Sequence, residues 1–166
     1  MASPMTPARN GRKNLVDDER GTSLVETAVV MPFLLVLGLG VFEFGNILYN
    51  HHLVDTGVRD AARYLARFRL PEMRETEAKE LAVTGSTAGG TKRVAWWDTD
   101  DVTVSYKEIA NPPDETGERP YRGLDPIRVV QVTTNVTYGG LGFLGFLGLG
   151  DSLTFSTAHE ERVIGD

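Results

Sequence analysis

Between residues 27 and 50 only one side chain, Glu43, is charged. A helix over these roughly 24 positions reaches about 36 Å, enough to cross a hydrocarbon core. Secretory signal peptides have a shorter apolar region, about 7 to 15 residues, and end at a small-residue cleavage site. Here the chain runs on without such a site through "NILYNHHLVDTGVRDAARYLARF". The pattern therefore predicts a membrane span over residues 22–50. It then changes period: Val54, Val58, Ala61, Leu65 and Phe68 recur at steps of three and four, the stripe of an amphipathic helix. Pro71 ends or breaks that helix, and "EMRETEAKELAV" supplies another short helical segment before Gly85. Residues 51–84 are thus expected to be amphipathic and helical.

From residue 85 to 166 the signals are those of a β-rich domain. After the glycine turn "GSTAGGT" come "RVAWW", "DVTVSYK", "IRVVQVTTNVTY" and "SLTFSTAHEERVI", all rich in β-branched and aromatic residues. The prolines of "IANPPDETGERPYRGLDP" exclude a central strand there. The expected fold class is α+β. A long N-terminal transmembrane helix continues into an amphipathic helix that packs on a small antiparallel β-sheet of three or four strands.

Two features resist that scheme. If the span stopped before Glu43, its uncharged stretch of about 16 residues would reach only about 24 Å. Glu43 therefore belongs within the bilayer or at its outer boundary, at a cost of about 2 to 3 kcal/mol near the middle and less toward the interface. It either snorkels to the headgroups or pairs with a partner helix. The second feature is "GGLGFLGFLGLG", residues 139–150, in which Leu141, Phe143, Leu144, Phe146 and Leu147 alternate irregularly with glycine. It is too short to span as a helix. It is either an exposed apolar contact loop or a buried loop that closes the sheet.

Composition and charge narrow the function classes. A net charge of -6 over 166 residues argues against a nucleic-acid protein, which would concentrate a basic face. Without cysteine there is no disulfide framework, thiolate nucleophile or thiolate metal site. "GSTAGGTK" resembles a phosphate-binding loop, but the lysine does not directly follow the glycine as that chemistry requires. His51 and Asp55 share a helical face, yet two ligands are too few for a metal site, and the His51–His52 pair fits a polar membrane interface. No G-x-S-x-G elbow organises a serine nucleophile. The residues support neither an enzyme nor a cofactor, and no small-molecule substrate is expected. Arg9, Arg12, Lys13 and Arg20 before the span nearly balance Arg59, Arg63, Arg67 and Arg69 after it, so charge alone leaves the orientation undecided.

"RGTSLVETAVVMPFLLVLGLGVFEFGNILYN" followed by "DTGVRDAARYLAR" resembles the TadE-like family of pilin-like proteins, which serve tight-adherence (Flp-type) pilus systems. The ordered elements are a basic leader ending in Gly21, Glu26 five residues on, Pro32, Glu43, and Ala61-Ala62-Arg63. Where family members often carry an aromatic after the glutamate, Thr27 stands here. The resemblance implies a minor pilin or pseudopilin that contributes to pilus assembly and adhesion. Residues 1–21 would be a prepilin-type leader, cut by a prepilin peptidase between Gly21 and Thr22. The topology it implies is a single pass through the bacterial inner membrane, leader cytoplasmic and C-terminal domain extracytoplasmic, with the cell surface or pilus as a further destination. Implied partners are the membrane, the prepilin peptidase, other pilin subunits and the pilus assembly platform. Cleavage would leave Glu26 at mature position five, about 7 Å along the helix from a new Thr22 amine. Pairing with a neighbour's amine would then set a stagger between subunits. The alternative is an unprocessed, single-span anchored accessory protein of a secretion or envelope complex.

Overall fold

The computed structural model describes residues 19–123, 125–140, 142–146, 148 and 153–164, with backbone only for Glu19 and Arg20. The chain divides into two compact units, the first ending at Gly40 and the second beginning at Val41. One helix, α1 (Glu19–Leu65), contributes to both and continues through Pro32.

In the first unit, α1 presents apolar side chains in every direction, and each described residue from 21 to 39 is exposed. Leu24, Val29, Phe33, Leu35 and Leu37 do not lie on a single face and have no protein cover. The helix is long and apolar enough to cross a membrane.

The second unit is α+β, as expected. Val54, Val58, Ala61 and Leu65 are fully buried, so these positions of the predicted stripe are the core side of α1, whereas Phe68 lies beyond the helix end and is half-buried. The helix ends in tightened turns, with Arg67 N–H donating to Tyr64 O and Phe68 N–H to Leu65 O. A 3-10 turn at Pro71–Arg74 leads into α2 (Glu75–Thr84). Gly85, at φ 80°, ends α2 in the left-handed conformation and donates its N–H to Leu81 O. Ala78, Ala82 and Val83 are the buried face of α2. Where α2 meets α1, a Cβ on Gly57 would lie 2.3 Å from Ala82 O and 2.7 Å from the Trp97 ring, so only glycine fits.

Strands β1 (Val102–Ile109), β2 (Ile127–Thr137) and β3 (Thr154–Arg162) form an antiparallel sheet with β2 in the centre. The registers pair Val104 with Val132 and Val132 with His159. From Val130 on, β2 alternates: Val130, Val132, Thr134 and Val136 are buried while Gln131, Thr133, Asn135 and Thr137 are not. Ile164 N–H donates to Ala66 O, tying the chain after β3 to the end of α1.

"RVAWW" is a run of turns and not a fourth strand. Its backbone bonds go elsewhere: Arg93 N–H donates to Val83 O, and Trp97 N–H to Val94 O. The β signal came from residues selected for burial, since strand propensity largely measures fit to a half-buried surface. Val94 and the fully buried Trp97 meet that need from a turn. Trp97 Nε1–H donates to Thr134 Oγ1 at 3.1 Å, and that hydroxyl donates to Asp101 O at 2.8 Å. The two buried polar groups thereby satisfy each other.

Candidate functional site

The residues singled out at the start of α1 are all accessible. Gly21, Thr22 and Glu26 are exposed, and nothing lies within 4 Å of a Cβ built on Gly21. Thr27 Oγ1–H donates to Ser23 O at 2.9 Å, so this hydroxyl is satisfied by its own helix. Glu26, Val30 and Leu34 follow one another at four-residue steps along one side of α1. The first unit thus carries a carboxylate at the head of an uncovered apolar column.

Glu43 has a different environment. It is 2% exposed, although its neighbours Phe42 and Phe44 are exposed. The cover is supplied by residues just after β2. Tyr138, Gly139, Gly140, Leu144 and Leu153 line a cavity of about 310 Å³ with the Glu43 side chain. A Cβ on Gly140 would lie 2.5 Å from Glu43 Oε1 and 2.2 Å from the Tyr138 ring, so the absent side chain permits the close approach. Asn46 Nδ2–H donates to Tyr138 Oη at 2.5 Å, and Asn50 Nδ2–H to Asn46 Oδ1 at 3.0 Å. Burial is the first cause that holds the Tyr138 phenol above its ordinary pKa. The amide of Asn46 pulls it down, and the carboxylate of Glu43 adds to the rise.

Beside this polar group stands an aromatic cluster that the sequence pattern did not indicate. Trp96, Tyr138 and Phe155 have ring centroids 5.5 to 5.7 Å apart, and His51 meets Phe155 edge-on at 5.2 Å. Gly139 lies against Trp96, where a Cβ would come within 2.7 Å of the indole. His51 and Asp55 do not converge on a common centre. Asp55 bonds Arg59 at 2.7 Å and accepts from Thr157 Oγ1 at 3.1 Å.

The glycine-rich connection is mixed in exposure. Phe143 and Leu144 are half-buried, whereas Phe146 is 79% exposed. Phe143–Phe146 forms one helical turn (α3), and its two phenyl rings stack at 6.1 Å. Leu141 and Leu147 lie outside the described residues, as does most of the leader. The connection is closed at its base, where Tyr138 N–H donates to Leu153 O at 2.7 Å.

Residues 21–63 match the model of the family described as TadE-like protein. This segment is TadE-like. The match opens at Gly21 and ends within the packed stripe of α1, so the TadE-like segment takes in Glu26, Pro32, Glu43 and Ala61-Ala62-Arg63 together. The sheet lies beyond it. No curated protein and no solved structure matches the chain.

Proposed function

We propose that the chain is a minor pilin or pseudopilin of a tight-adherence pilus, a structural assembly protein without catalysis. The observation that carries this reading is the family match over residues 21–63, which takes in the exposed apolar part of α1. Prepilin peptidase cuts between Gly21 and Thr22 on the cytoplasmic side, and the second unit faces the other side of the inner membrane. Thr22 then carries a mostly cationic amine near neutral pH. Glu26 is exposed on the part of α1 that has no protein cover, so its carboxylate is free to meet the Thr22 amine of a neighbouring pilin subunit. In a low dielectric that pairing relieves much of the cost of a lone carboxylate and fixes the stagger between helices. Delivery to the assembly platform and participation in adhesion follow from membership in such a filament.

The test is the N-terminal residue of the membrane-bound protein from cells with and without the peptidase. A peptidase-dependent Thr22 is expected. An uncut leader in both strains refutes the processing step and leaves a single-span accessory protein. Glu26→Ala tests the pairing separately: fewer pili are expected, and unchanged processing and assembly would contradict the role assigned to this carboxylate.

A further inference from the structure

The connection between β2 and β3 meets α1 where the sequence is still that of the span. Counting about 20 residues for a hydrocarbon core from Thr27, the first position after Glu26, ends at Asn46. Glu43 falls inside that count, and within the second unit Tyr138 and Gly140 close over it. The base of the connection therefore stands beside the last apolar turns of the span.

Among its described residues the connection exposes large apolar side chains. Residues 139–150 contain only glycine, leucine and phenylalanine, and Asp151 and Ser152 follow before Leu153. Phe146 is 79% exposed and Leu153 40%, and Phe42, Phe44 and Leu48 are exposed on α1. The polar groups Glu43, Asn46 and Tyr138 Oη are instead turned toward one another. Loops over aqueous surfaces are ordinarily polar, and a contiguous exposed apolar patch marks a contact. Carboxylates within membrane segments face protein, while apolar groups face lipid. A tyrosine beside the outer turns of a span fits the interfacial layer.

We propose that Phe146 and Leu153 of the β2–β3 connection make a second membrane contact, seated among the acyl chains of the leaflet on the side of the second unit. The occupant is lipid, and the penetration is shallow, about 5 to 10 Å below the headgroup boundary. Tyr138 and Gly140 screen Glu43 from that lipid. The inference rests on the membrane-span part of the proposed function and is independent of the pilus part.

The absence of native cysteine allows single labels on the full chain in vesicles of neutral and anionic phospholipid. An environment-sensitive fluorophore goes on Phe146→Cys and, as a second variant, on Leu153→Cys. Leu35→Cys reports on the span, and Glu115→Cys on an exposed polar loop. The expected result is several-fold weaker quenching by aqueous iodide at 146 and 153 than at 115, with strong quenching by shallow spin-labelled lipid. Iodide quenching at 146 and 153 equal to that at 115, with 35 protected, overturns the loop contact and leaves the span intact. Iodide access at 35 overturns the span itself. Protection at 146 without lipid quenching, lost at one protein per vesicle, identifies a second copy as the cover and overturns the lipid assignment.

Discussion

The two parts of α1 solve the same problem with different surroundings. Up to residue 39 its leucines, valines and phenylalanine point all round and none is covered. From Val54 to Leu65 the apolar residues keep to one stripe, which α2, Trp97 and the sheet bury. An all-round apolar helix needs an apolar solvent, and an amphipathic one needs a domain to lie against. The periodicity of the sequence changes where the environment does. Glycine makes the same distinction. Gly38 has nothing within 4 Å of a built Cβ, whereas at Gly57 one would collide with Ala82 O and Trp97.

That contrast is open to attack at the packed end. Removing the largest buried side chain there, Trp97→Ala, is expected to cost about 3 to 5 kcal/mol through lost burial and a cavity. It also strips the Thr134 hydroxyl of its donor. Chemical denaturation of the full chain in detergent, followed by near-UV circular dichroism, reads the loss; a change under about 1 kcal/mol would mean the core is not built around this indole. Next in size, Gly57→Ala is expected to cost about 1 to 3 kcal/mol by overpacking, while Gly38→Ala leaves stability unchanged. Equal effects of the two substitutions would erase the distinction between the two environments.

The smallest effect concerns the charged rim of α2. Tyr64 Oη–H donates to Glu77, whose other oxygen accepts from Arg74 at 2.6 Å. These two bonds, that of Tyr64 first, hold the Glu77 carboxyl below the ordinary carboxylate range. A carboxylate whose pKa is lower folded than unfolded stabilises the fold above its unfolded value. The contribution is lost as the pH falls through the folded pKa. Wild type is expected to be slightly more stable than Glu77→Gln near neutral pH, and the gap should close below about pH 4.3. A gap that widens on acidification would contradict a Glu77 pKa lowered by folding.

Much of the fold was legible because its signals are local. The buried stripe, the end of α2 before Gly85 and three of the four strand-like runs follow from residues within a few positions of one another, although α1 ends at Leu65, ahead of Pro71. "RVAWW" misled because valine and tryptophan report burial, and burial there is reached from a turn. What covers Glu43 was illegible for another reason: the bond between Asn46 and Tyr138 joins residues 92 positions apart. No short pattern announces that Gly139 and Gly140 are small so that an indole, a phenol and a carboxylate can approach their backbone. The features at Gly21, Thr22 and Glu26 were legible as an ordered motif, since they lie within one short segment of sequence.

A cysteine scan along α1 in vesicles of the purified, unassembled protein, with lipid-phase and aqueous relaxation agents read at each spin label, tests the change of environment most directly. Over residues 27–39 lipid exposure on all sides is expected, with no 3.6-residue period. Over residues 54–65 that period is expected, with labels at Val54, Val58, Ala61 and Leu65 shielded from both agents or disruptive to the fold. Aqueous access throughout the first stretch, or the same periodic shielding in both, would contradict that change.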